Sequence, residues 1–333
     1  MIRMLKKLMS CVREYKKVSV LTPILMVGEV VMECLIPFVI AELVGQIEDG
    51  CEFSVIAKHG LVLFAMACVS LMFGGLAGMT GSKASCGFAK NLRHDLYYRI
   101  QEYSFENIDK FSASSLVTRL TTDVANVQMS FMMLIRIAIR SPLMFIFAIV
   151  MAFVMGGKLA LMFVIVVPIL GFGLFMVAKK AMPLFRSVFR KYDRLNESIQ
   201  ENVKGMRVVK SFVREEYEKE KFNRAAEDVC MDFTKAERIV AINGPMMQLC
   251  LYVNMMFVLS FGSYLVISSK GLTMGVGQLS AMITYGFMVL SSLMMLSMIF
   301  VMVSMSTASM ERISEVLNEV SDRRIWQINP QKG

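Results

Sequence analysis

Six runs of apolar residues dominate the chain, at about 18–46, 59–82, 134–156, 159–178, 239–268 and 275–310. A helix needs roughly 20 such residues to cross a hydrocarbon core of ~30 Å. Backbone in lipid must satisfy its own polar groups, so runs of this length read as helices. The fold class that follows is an all-α membrane protein with six transmembrane helices. Composition agrees, because 56% of residues are hydrophobic and only 19% are charged. This balance excludes disorder and an ordinary soluble enzyme. Seven cysteines without a C-x-x-C pair suggest neither a zinc site nor a disulfide framework. His59 and His94 are too few and too far apart for a metal cage or a catalytic base, so no catalytic or metal site is expected. The first run is not a cleavable signal, since it is too long and carries Glu29 and Glu33.

The formal charge of +9 reads as topology rather than as a nucleic-acid surface. The three short loops hold one cation each, Lys58, Lys158 and Lys270. Residues 1–17 hold six, the connection 83–133 six, the connection 179–238 fifteen and the stretch after 310 four. Thus 31 of the 36 lysines and arginines lie on one side. Cations stay on the cytosolic side of a bilayer, so both termini and both long connections are expected in the cytosol beneath the plasma (inner) membrane. Both connections are rich in helix formers, for example 91–101 and 215–227. Folded as hairpins with ~25 residues per arm, they project roughly 35–40 Å below the bilayer. Two such stalks suggest levers that reach a cytosolic partner. The plainer reading is a pair of solvated helical hairpins with no partner.

Three stretches carry a family resemblance. The segment Phe111-Ser-Ala-Ser-Ser-Leu-Val-Thr-Arg-Leu-Thr-Thr-Asp-Val-Ala-Asn-Val-Gln128 is similar to the end of the first cytosolic loop of six-helix ABC exporter half-transporters. Residues 201–217, Glu-Asn-Val-Lys-Gly-Met-Arg-Val-Val-Lys-Ser-Phe-Val-Arg-Glu-Glu-Tyr, resemble their second cytosolic loop. Residues 308–317, Ala-Ser-Met-Glu-Arg-Ile-Ser-Glu-Val-Leu, resemble the close of their sixth helix. The wording of 115–123 and 206–212 is similar to the multidrug-type subgroup built from two different chains.

The resemblance implies a type-1 transmembrane domain over 18–318, preceded by a cytosolic segment 1–17 and followed by a short cytosolic tail 319–333. It implies a second half-transporter as partner, in a heterodimer that shares one path for apolar or amphiphilic substrates. It also implies short coupling helices at the hairpin tips that dock on nucleotide-binding domains. The first tip is placed near Asn107, Ile108, Asp109, Lys110 and Phe111. The second is placed near Ser211, Phe212, Val213, Arg214, Glu215 and Tyr217, reaching the partner's nucleotide domain. Buried aromatics flanked by charge are the usual anatomy of an interface anchor. The competing reading is that these aromatics staple the tip to itself. Many relatives have glycine where Ser114 stands, so a different local turn is expected there.

Nothing in the chain matches G-x-x-x-x-G-K-[ST], and Gly81-Ser-Lys has the wrong spacing. The chain is therefore expected neither to bind nor to hydrolyse ATP by itself, with Mg-ATP held on partner nucleotide-binding domains. The family pattern fades after Glu319, which fits either a truncated product or a separately encoded ATPase.

Ionisable groups inside spans are rare and are functional candidates by default. Glu29 and Glu33 lie one turn apart on the first span. Glu29 and Arg140 each lie 17 positions below an outer end, at Gln46 and Gly157, which puts both ~26 Å down. Three readings stay open: a Glu29–Arg140 ion pair, a cavity that attracts cations through Glu29 and Glu33, or contact with a partner chain or water. Methionines of the sixth span, among them Met288, Met295 and Met298, suit a cavity that re-packs around apolar ligands. The plainer reading is lipid-facing or helix-packing methionine. Pro142, Pro168 and Pro245 are expected to bend their helices. A gradient-driven six-span carrier or a non-transporting dimerisation subunit are the competing functions; the stalks speak against the carrier.

Overall fold

A computed structural model describes residues 8–269 and 274–319; Lys270 and the expected tail 320–333 lie outside the described residues. Ten α-helices follow in order: α1 (Lys16–Glu48), α2 (Phe53–Gln101), α3 (Phe105–Phe111), α4 (Ala113–Thr118), α5 (Val124–Gly156), α6 (Met162–Lys204), α7 (Met206–Ser211), α8 (Glu215–Val240), α9 (Asn243–Ser269) and α10 (Val276–Asn318). A π-helical turn, Arg119–Asp123, links α4 to α5. The protein is all-α, as the apolar runs require.

The stalks extend their spans without a break. Helix α2 has 49 residues, about 70 Å at 1.5 Å per residue, more than twice what the bilayer core needs. Among the described residues, five continuous helical stretches are long and apolar enough to cross a membrane. One of them, Ala113–Lys204, is divided at a glycine corner, where Gly157 adopts φ +49°. A side chain would be strained there, and the corner separates α5 from α6.

The prolines act unequally. Helices α5 and α6 run through Pro142 and Pro168. The fifth apolar run, by contrast, is not one helix. It is divided at Ala241 and Ile242, just ahead of Pro245. Pro245 has no N–H to give the Ala241 carbonyl, so the turn before it loses a bond.

Packing sorts the helices into two groups. Helices α1, α2, α5 and α10 lie against one another. Away from the hairpin tips, α6 and α9 join this bundle in a core built around Ala148, Ala152, Phe163, Val258, Met282 and Tyr285, reinforced by a bond from the Tyr285 hydroxyl to the Cys34 carbonyl at 2.7 Å. At the end toward the first hairpin tip a second core joins Phe88, Leu92, Leu96, Tyr103, Leu116, Phe131, Ile313 and Val316. Leu8, Cys11 and Val12 of the N-terminal segment belong to that core. Asn91 Nδ2 donates to the Cys11 carbonyl at 3.0 Å and Arg13 pairs with Asp95 at 2.7 Å. Burial, and then the Asp95 carboxylate, push the Cys11 thiol up to about 11. The second group is the pair α6 and α8, whose lengths beyond the apolar runs pack on each other, while the apolar part of α6 packs on α9 and α10.

Candidate functional site: two hairpin tips and an intramembrane charge cluster

The first tip is helix α3. Ser104 starts it with a capping box: its hydroxyl accepts from the Asn107 N–H, and Asn107 Oδ1 accepts from the Ser104 N–H. The chain then reverses at Ser112, which has φ +56° and caps α4 through its hydroxyl. Ser114 sits inside the first turn of α4 rather than at the reversal.

This tip is fastened to the end of α10. Asn107 is buried and donates to Glu319 Oε1 at 3.3 Å, and Lys110 reaches the same oxygen at 2.7 Å. Arg99 donates to the Glu319 carbonyl and Tyr103 to the Val316 carbonyl, both at 2.8 Å. Phe111 stacks on Tyr103 at 5.8 Å and lies beneath the Arg119 guanidinium at 4.8 Å. Burial, and then the Glu319 carboxylate, raise the Tyr103 phenol to about 12. Of the five residues expected to contact a partner here, the structure turns Asn107, Ile108 and Phe111 inward and leaves Asp109 and Lys110 at the surface. The aromatic that faces solvent is Phe105, 88% exposed. Sequence reading missed it, although Ser104 and Asn107 mark the start of its helix.

The π-helical turn fixes the second layer of this fastening. Arg119 and Asp123 are both buried against α10. Arg312 Nε donates to Asp123 Oδ2 at 2.8 Å, and its Nη2 bonds Asp123 Oδ1. Arg119 donates to the Arg312 carbonyl at 2.7 Å and pairs with Glu315 at 3.0 Å. Two of the family-like stretches therefore meet through these four side chains. Charge-assisted bonds to a buried carboxylate are the strong kind.

The second tip is built differently. Its short helix, α7, ends at Ser211, so the expected contact residues occupy three places. Ser211 closes α7, Phe212, Val213 and Arg214 form a turn, and Glu215 and Tyr217 open α8. Val213 has φ +50°, which aims the turn outward. Phe212 is 74% and Val213 81% exposed, with Tyr217 exposed beside them. The arms are tied above the tip by Asn202 to Glu218 at 2.8 Å and Lys191 to Asp232 at 2.6 Å. Lys191 and Lys235 hold the Asp232 carboxyl below its usual range.

Within the membrane, Arg140 of α5 meets both glutamates of α1. Its Nη2 donates to Glu33 at 2.6 and 2.7 Å, and its Nη1 lies 3.5 Å from Glu29. Glu33 is thus the nearer partner, although Glu29 shares the depth of Arg140. Helix α2 makes room with glycine: a Cβ on Gly74 would come within 3.2 Å of the Glu29 carboxylate, and one on Gly81 within 3.0 Å of Arg136. Glu29 Oε2 and Arg136 Nε are buried with no hydrogen-bond partner among the described residues. Met288 packs on the core around Tyr285, while Met295 and Met298 are exposed. A search confined to ionisable groups also passed over Asn254, buried in α9 with its Nδ2 against Gly286.

Long apolar helices that continue as polar stalks define a multi-pass membrane protein. More particularly, residues 20–294 match the ABC transporter transmembrane region, and the chain belongs to that family. It is 30% identical to the "Uncharacterized ABC transporter ATP-binding protein YfiB" of Bacillus subtilis, over 96% of this chain and 55% of that protein. It is 26% identical to the ATP-binding protein MT1311 of Mycobacterium tuberculosis, over 92% of this chain and 52% of that protein. Similarity extends to the ATP-dependent lipid A-core flippase of Aromatoleum aromaticum, 28% identical over 81% of this chain and 44% of that protein. The chain spans about half the length of the curated relatives it matches.

Proposed function

We propose that this transmembrane domain is one half of an ATP-driven exporter of apolar or amphiphilic, multidrug-like molecules, paired with a different second half. The observation that carries the reading is the pair of stalks ending in solvent-exposed aromatics, Phe105 and Phe212. Exposed aromatics at the far ends of rigid arms are placed to enter pockets on cytosolic domains. Mg-ATP is bound and hydrolysed on those nucleotide-binding domains, and the arms carry the resulting motion to the spans. The termini and both tips lie on the cytosolic face of the plasma membrane. Met295, Met298 and the Glu29–Glu33–Arg140 cluster contribute to the substrate path, with Met288 supporting it from the core.

The test is co-reconstitution with an ATPase-bearing half-transporter in proteoliposomes, reading uptake of a lipophilic dye. ATP-dependent uptake that falls with Phe212→Ala, at unchanged membrane insertion, is the expected result. Loss of such an anchor weakens an interface by ~2 kcal/mol, about 30-fold. Dye movement that follows an ion gradient without ATP assigns a secondary carrier instead. Orientation is read separately: a cysteine at Glu52 reacts with an impermeant thiol reagent from outside, and one at Glu218 does not.

A further inference from the structure

Phe105 and Phe212, at the two tips, stand among opposite charges. On the second tip, Lys204, Arg207, Lys210 and Arg214 are exposed, and none has an ion-pair partner among the described residues. No acidic residue lies between Met206 and Arg214; of the glutamates that open α8 beside Tyr217, Glu216 pairs with Lys219 and Glu218 accepts from Asn202, which leaves Glu215 against the four cations among the described residues. These cations ring an apolar patch of Met206, Val208, Phe212 and Val213. Behind the patch, between α6 and α8, opens a cleft of about 470 Å³ floored by Ile199, Val203, Val209 and Phe222. On the first tip the cations are already engaged: Lys110 by Glu319, Arg99 by Glu102 and Arg119 by Glu315. Glu106 and Asp109 flank Phe105 without an ion-pair partner among the described residues, and exposed Glu311 adds a further negative charge on α10 nearby.

We infer that the second tip is a cationic plug for an acid-rimmed apolar socket, and the first an anionic plug for a base-rimmed one. The nucleotide-binding surface that receives them is therefore divided by charge, which fixes which tip enters which socket. The inference rests on the docking reading above and adds the chemistry of the partner surface. An apolar centre with a charged rim is how protein interfaces combine affinity with register. The bilayer is not the counter-charge for the basic tip. Arg207 lies on α7, 27 residues beyond Lys180 and just past the end of α6, roughly 40 Å from the membrane, against a Debye length of ~8 Å in physiological salt. Opposed rims also exclude the swapped arrangement, because like charges brought together at an interface are strongly disfavoured.

The experiment uses the full chain in nanodiscs and, as probe, the isolated ATP-binding portion of Bacillus subtilis YfiB. Association rates are measured across salt concentrations. Wild type associates with a rate that falls steeply as salt rises. The triple change R207E/K210E/R214E slows association by roughly tenfold or more and flattens the salt slope. E106K/D109K does the same to a smaller extent, while R207K/K210R/R214K keeps the wild-type rate; unchanged circular dichroism shows that each variant is folded. If the reversals change nothing while Phe212→Ala weakens binding, docking stands and the charge division is overturned. If Phe212→Ala is also silent, or wild type does not associate at all, the docking reading falls and takes the inference with it.

Discussion

The two long hairpins are similar in length and helical content, yet they are held in different ways. The first is part of a core: α2, α3, α4 and the start of α5 enclose Leu92, Leu96, Tyr103, Leu116 and Val124 against Ile313 and Val316 of α10. Its ionic contacts run across helices to Asp123, which is 0% exposed. The second hairpin has only its own two arms. Ala236 is the one residue of α8 that is buried, and none of α7 is. A hairpin with no third surface to pack on cannot bury its tip, so its aromatics remain in water. The first tip is therefore coupled to the end of α10, whereas the second, among the described residues, is held only by its own two arms.

The largest expected effect tests that coupling. Arg312→Ala strands the buried Asp123 carboxylate and should lower the stability of the purified chain by about 3 kcal/mol, read from a thermal melt. Arg312 is itself 46% exposed, so Asp123→Ala, which leaves a cation that can reach water, should cost less. Asp232→Ala, in the exposed bridge of the second hairpin, should leave the melt unchanged. Equal effects at the two hairpins would break the comparison.

The same bundle is welded inside the membrane, where a double-mutant cycle sharpens the picture. Glu33→Gln combined with Arg140→Met should show coupling of ~1–3 kcal/mol, and Glu29→Gln with Arg140→Met should show less, because Glu29 is the more distant partner. Additive effects in both cycles would remove the cluster from the account of stability. Amide exchange then compares the tips directly. Amides of α3 should exchange at least tenfold more slowly than those of α7, about 1.4 kcal/mol in local opening.

A last effect appears only at alkaline pH. Tyr103 is neutral while it donates to Val316, and its phenol is raised from 10 to about 12. A raised folded value means that its contribution is complete below pH ~10 and is lost as pH climbs through about 12. Tyr103→Phe should remove that part of the alkaline fall in stability, and Tyr217→Phe on the second tip should not.

Much of this is legible in the chain. A run such as 134–156 has one stable solution in a bilayer, and the glycine pair at 156 and 157 marks its end. The equal depth of Glu29 and Arg140 can be counted along two helices. Counting does not give rotation about the helix axes, and rotation is what brings Glu33 closer than Glu29 and opens the slot at Gly74. Lys110 reads as an exposed contact residue because nothing local reveals that Glu319, 209 residues away, will claim it. Phe105 went unnoticed for the converse reason: an aromatic in a helical stretch reads as core until the packing leaves it outside.

The sequence by itself determined the all-α membrane fold, the two long stalks and the family, because apolar length, helix propensity and local motifs are properties of contiguous residues. Only the tertiary structure decided that one stalk is joined to α10 and the other is not. That difference depends on Asp123, Arg312, Asn107 and Glu319 arriving at one place from distant parts of the chain. Burial then makes their charges count, since a carboxylate shielded from water must find its partner within the protein.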